Sequence, residues 1–208
     1  MAKTVSDIIT DFELYMDDTT ELSQAEEIRL VDKIYQRVSY LIPWESLKKE
    51  YASTASGTTL SLPARFAYVV ENDNYSENGE YGSGPVVYIG TERSPWKVVS
   101  FSDRRNYRER NGYAWVDIAN DNLVFSADPG AKEVEFDYIE YPTELTTTSD
   151  TFWIPDRFTP ILYHGMAIDD FVIQQSEKAR SYRDEHLANY NMYLNDMKSW
   201  NYNLVQLT

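Results

Sequence analysis

A chain of 208 residues, 42% of them hydrophobic, is long enough for one substantial core and short for two independent ones. Its formal net charge of −15 is spread along the chain, which argues against a surface built to hold nucleic-acid phosphates. The absence of cysteine excludes disulfides, thiolate metal sites and cysteine nucleophiles together. No apolar run approaches the roughly 20 residues that a bilayer-crossing helix requires. The opening MAKTVSDIITDFELYMDD turns acidic almost at once, unlike a secretory or targeting leader, so synthesis in a cytoplasm is expected. With 17 tyrosines the aromatic share is high, and such side chains serve sheet cores and subunit interfaces alike.

The chain reads as α+β, a single composite domain with helical ends around a central antiparallel sheet or sandwich. The N-terminal helical part is expected over 1–56, the β region over 57–148, and C-terminal helices with a docking tail over 149–208. Thr4-Val5-Ser6-Asp7 and Ser23-Gln24-Ala25-Glu26 both fit the capping box, in which a hydroxyl and an acid three residues on satisfy orphan amides reciprocally. Val5, Ile8, Ile9 and Phe12 then fall on one helical face, as do Ile28, Val31, Ile34, Tyr35, Val38 and Leu41. This predicts helices near 4–16 and 23–41, the second stopped by Pro43, with Trp44 and Leu47 folding back.

From Gly57 the period shortens. TTLSLP alternates and ends at Pro63, as an edge strand does, whereas RFAYVVEN is ambiguous between strand and helical turn. The polar, glycine-rich 71–85 is expected as a long exposed loop. VVYIG and WKVVSF follow as short strands. Turn formers at 119–122 and 128–130 then divide three strands into a meander. The expected inward faces are Ala114/Val116/Ile118, Leu123/Phe125 and Val134/Phe136/Tyr138. In the last third, Asp156 can cap a helix running to about Gln175 that carries Phe158, Ile161 and Leu162. A second helix from Glu177 aligns Ala179, Tyr182, His186, Tyr190, Tyr193, Met197 and Trp200 in one stripe.

The segment DTFWIPDRFTPILYHGMAIDDF places His164, Asp169 and Asp170 behind two prolines, either as the lip of an active site or as a joint between sheet and helix. On a helix, positions 164 and 169 lie about 140° apart, which does not gather ligands on one face. No HExxH, EF-hand loop, P-loop or Gly-x-Ser-x-Gly elbow occurs, and GEYGSG lacks the lysine and the helix of a phosphate loop. Carboxylates are so plentiful that choosing a glycosidase pair is arbitrary. The joint reading prevails: no catalytic residue, metal or cofactor is expected. One basic island, Arg104, Arg105, Arg108 and Arg110, is read either as a local anion contact or as a solvated loop pairing with an acidic neighbour.

The order of these parts carries a resemblance. Asn122, Leu123, Phe125 and Pro129 come first, then Tyr138, Pro142 and Leu145, then Ile154, Pro155, Phe158, Leu162, Gly165 and Ala167. In this succession, between helical ends, the chain resembles the head-to-tail adaptor (connector) proteins of tailed bacteriophages. The resemblance implies a structural virion protein of the neck, not an enzyme, made in the host cytoplasm and without cofactor or membrane. It implies a dodecameric homo-oligomeric ring between the portal protein and a tail or nozzle protein, with double-stranded DNA passing through its lumen without specific binding. An acidic wall suits that passage, because it repels phosphate. Tyr190, Tyr193, Met197 and Trp200 become candidate core or subunit contacts, and Asn203 to Thr208, with Leu204, Val205 and Leu207, a docking tail for the portal. The rival reading is a carbohydrate-binding β-sandwich with Trp96, Tyr107, Tyr113 and Trp115 as its stacking platform. The helical thirds count against it.

Overall fold

The computed structural model describes residues 2–16, 22–77, 80–91, 94–174 and 177–205. The chain divides into two compact units, a helical one of residues 1–46 and 142–208 and a strand unit of residues 47–141. The fold is α+β, as expected, and the described residues form four α-helices and a sheet of nine strands.

In the helical unit both predicted caps are present. The Asp7 carboxylate accepts the Thr4 N–H at 2.8 Å and starts α1 (Val5–Met16), whose Val5, Ile8, Ile9 and Phe12 are buried. The Glu26 carboxylate accepts the Ser23 N–H at 2.8 Å and starts α2 (Gln24–Ser39). The buried stripe of α2 is Leu30, Val31, Ile34, Tyr35 and Val38; Ile28 is only half-buried, and Leu41, beyond the helix end, is exposed. Trp44 folds back as expected, wholly buried, with its indole N–H donating to the Val38 carbonyl at 2.8 Å. Trp153 packs against it and donates to the Ser39 hydroxyl at 2.8 Å.

The segment before the next helix does more than connect. Asp150 accepts from the amides of Thr146 and Thr147 at 2.7 and 2.8 Å, which fixes a tight turn. The carbonyls of Asp150 and Thr148 then accept the Val5 and Ser6 amides, two of the donors left over at the start of α1. A 3₁₀ turn at Asp156–Phe158 leads into α3 (Pro160–Gln174), where proline occupies the first helical position and needs no amide. Ile161, Leu162, Met166 and Ala167 are buried, and α4 (Glu177–Val205) runs about 43 Å at 1.5 Å per residue. Near its end the buried Asn201 accepts the Glu45 N–H at 2.8 Å and donates to the Pro43 carbonyl at 3.2 Å.

The strand unit begins earlier than Gly57, with β1 (Lys48–Thr54). It continues with β2 (Thr59–Ser61), β3 (Phe66–Val69), β4 (Glu71–Glu77), β5 (Glu80–Ile89), β6 (Ser94–Val98), β7 (Tyr113–Asp117), β8 (Asn122–Phe125) and β9 (Glu133–Glu140). The spatial order is β1-β9-β5-β6-β7-β8-β2, with β3 also on β9 and β4 on β5. All pairings are antiparallel except β6 with β7. The core gathers Val87, Trp96, Ala114, Leu123, Phe125, Val134, Phe136 and Tyr138.

Three expectations are corrected here. The stretch 71–85 is not a loop: β4 and β5 form a hairpin with Glu71 opposite Pro85 and a register shift between Asn72 and Tyr75. Backbone ladder bonds hold a strand without apolar alternation, so polar composition concealed it. The last three strands are no simple meander either, because only β7 and β8 pair, while β9 crosses to β1, β3 and β5. Ile118 is 76% exposed because β7 and its alternation end at Asp117, and Ile118 begins a 3₁₀ turn that Asp121 closes in a left-handed conformation (φ 50°).

Candidate functional site

The histidine and aspartates of the proline-flanked segment are not brought together. His164 of α3 is buried and meets His186 of α4, with the two Nδ1 atoms 2.9 Å apart. One ring must donate and the other accept, so the neutral pair holds opposite tautomers. Burial, and secondarily the neighbouring His186, lowers the pKa of His164 to about 4. Burial also lowers that of His186, against the opposing charge of Glu185. Tyr15 stands edge-on to both rings, and Tyr193 stacks on His164.

Asp169 instead turns to α2, 2.7 Å from Lys33 Nζ and 3.0 Å from Arg37 Nη2. Burial works to raise its pKa, but these two hydrogen bonds and the charges behind them hold it below the ordinary value. The side chain of Asp170 lies outside those described. Among the described residues no group of three His, Asp or Glu is placed to hold a metal ion. The histidine contact joins residues on separate helices, and no local pattern in the sequence announces it.

On α4 the aromatic stripe packs within the helical unit from His186 to Trp200, whereas Tyr182 is exposed and the side chain of Ala179 lies outside those described. Met197 is fully buried, Trp200 sits 5.6 Å from the Phe158 ring, and burial raises the pKa of Tyr190. Leu204 is half-buried and Val205 exposed, while Leu207 lies outside the described residues. Exposed apolar side chains that the stripe did not include are Leu187, Met192 and Tyr202. Helical spacing selected one face, and these residues occupy others.

The arginine island lies in the connection from β6 to β7. Phe101, Arg104, Tyr107, Arg110 and Tyr113 follow one another at intervals of three. The Arg104 guanidinium lies 3.6 Å from the Phe101 ring centroid and donates to the Phe101 carbonyl. Arg110 lies 5.7 Å from the Tyr107 ring, and the Tyr107 and Tyr113 rings are 4.4 Å apart. Arg105 and Arg108 are exposed. Among the described residues, none of the four arginines forms an ion pair with a carboxylate. The turn therefore displays positive charge on an aromatic footing.

The sugar platform does not form. Trp96 and Trp115 are buried, the former against Phe125, so neither presents a face to a ligand.

With this arrangement in view, comparison with known families is decisive: the family model described as SU10 adaptor protein matches residues 3–206. The chain belongs to the SU10 adaptor protein family. No curated protein matches it. It is thus a phage adaptor-type protein, a structural component of a virion, and no helix among the described residues is long and apolar enough to cross a membrane.

Several residues that carried the resemblance have structural tasks in this adaptor. Leu123, Phe125 and Tyr138 fill the strand core, and Ile154, Phe158 and Leu162 fill the helical one. Gly165 lets α3 approach α2, since a Cβ there would lie 2.5 Å from Ile34 Cγ2. In this chain, therefore, these residues serve packing.

Proposed function

We propose that this adaptor is the subunit of a dodecameric head-to-tail ring that joins the portal to the tail or nozzle and forms part of the channel by which DNA leaves. The observation that carries the reading is the family match, which spans both the helical and the strand unit. Its chemistry is consistent with that task. Polar side chains gathered near the helices are consumed in holding helices together, and the net charge of −15 discourages DNA from adhering to the wall. Tyr190, Tyr193, Met197 and Trp200 act as core or subunit contacts, and the end of α4, from Asn203 through Val205 and on to Leu207, docks on the portal.

The test is to image the adaptor, alone and mixed with its portal, by negative-stain electron microscopy. Rings coaxial with the portal are expected. Full-length protein that binds the portal neither in images nor by sedimentation, while remaining folded, overturns the reading. Removing residues 203–208 should abolish portal binding and leave the circular dichroism spectrum unchanged.

A further inference from the structure

Two surfaces of the strand unit have opposite charge and different composition. One is the arginine–aromatic turn between β6 and β7. The other is the outward face of β9 and β1. On β9, Val134, Phe136 and Tyr138 point into the core, so Glu133, Glu135 and Asp137 share the opposite face, with Glu133 and Asp137 exposed. On β1, Glu50 is exposed and pairs directly across from Asp137. Like charges directly opposite in an antiparallel pair are unfavourable, and the Lys48 ammonium lies 3.4 Å from Asp137. The two surfaces are separate: β5 stands between β9 and β6 in the sheet.

We propose that the arginine–aromatic turn of one copy docks on the acidic β1–β9 face of a second copy of this chain. The inference rests on the ring reading and deepens it by naming which surfaces meet. Charge complementarity chooses the occupant. Arg105, Arg108 and Arg110 are exposed and, like the half-buried Arg104, have no carboxylate ion pair among the described residues, in a chain that is otherwise strongly acidic, so the nearest abundant counter-surface is the chain itself. Because the two surfaces differ and lie on different strands, the contact is head-to-tail, the kind that closes a ring by rotation. Stacking on Phe101 and Tyr107 holds Arg104 and Arg110 in place beforehand, which reduces the ordering cost of docking. Duplex DNA is the weaker occupant, because four arginines neutralise few phosphates and the remaining surface repels them.

The experiment measures self-association of the full chain by sedimentation velocity at low salt, with negative-stain imaging of the same samples. Two variants reverse one surface each, R105E/R108E and E50R/E133R, and a third combines all four changes. Each single-surface variant should weaken association about a hundredfold, and the combined variant should regain it, because the charges again oppose. Circular dichroism and melting temperature report whether each variant is folded. Recovery by the combined variant cannot come from mere damage to the fold. Rings that persist in R105E/R108E overturn this inference and leave the ring reading intact. Wild-type protein that forms no ring, alone or with portal, overturns both. If R105E/R108E associates normally but loses retention on duplex DNA, the turn is a phosphate contact and the inference fails.

Discussion

The two units are specified by different kinds of interaction. Among the described residues, every buried polar or charged side chain (Glu27, Ser39, Thr159, His164, His186 and Asn201) belongs to the helical unit. The strand unit buries an apolar cluster and satisfies its backbone through ladder bonds. Their chain paths differ as well. The strand unit is one contiguous segment, whereas the helical unit is assembled from two segments with the whole strand unit between them. A unit closed from distant segments needs directional contacts to select its pairing, and buried hydrogen bonds supply them. A contiguous sheet relies on alternation, volume and register.

The strongest test of this contrast is a cavity. Phe136→Ala removes a large side chain that is 2% exposed and touches Tyr51, Phe66 and Tyr138, and should cost about 4 kcal/mol. Hydrogen exchange followed by mass spectrometry should show faster exchange throughout residues 47–141. If exchange in α3 and α4 accelerates equally, the two units unfold as one and the contrast loses its energetic meaning.

In the helical unit the most sensitive point is the approach of α3 to α2. Gly165→Ala places a methyl against a β-branched side chain with little freedom to move, and should cost about 2 kcal/mol in denaturant unfolding. Ile34→Ala, costly by itself, should make Gly165→Ala nearly harmless, and a double-mutant cycle measures that coupling. Additive costs would mean that the close approach is not what makes glycine necessary.

A pH titration separates the units further. Both histidines have folded pKa values below the ordinary imidazole value, so the unfolded chain binds more protons as pH falls below 6.5. The contribution of His164 is complete above 6.5 and is lost progressively toward pH 4, on the order of 3 kcal/mol at most, and that of His186 is lost in the same direction. Thermal melts between pH 7 and 4.5 should show the helical unit falling, with the slope flattened in His186→Asn. Asp7, Glu26, Asp150 and Asp169 have lowered pKa values, so their loss comes later, as pH falls below the ordinary carboxylate range. The smallest expected effect is that of Ser23→Ala. It breaks one half of the α2 capping box and should lower stability by about 1 kcal/mol, measured by thermal melting.

Local chemistry made much of this protein legible from its sequence. Thr4 with Asp7 and Ser23 with Glu26 marked helix starts, the spacing of Ile8 with Phe12 and of Val31 with Val38 marked buried faces, and Asp128 with Gly130 marked a turn. All of these act within a few residues, where periodicity and capping are determined by neighbours in the chain. The succession of such elements sufficed to suggest the family. Tertiary structure alone decided the rest. It turned the polar stretch 71–85 into a hairpin, sent β9 away from β8 to β1, β3 and β5, and brought His164 against His186. It also set Ile34 against the position that only Gly165 can occupy without displacement. Each of these depends on which distant backbone arrives as a neighbour. Pairing of that kind leaves no period in the sequence, because the hydrogen bonds and contacts that stabilise it exist only after the chain has closed on itself.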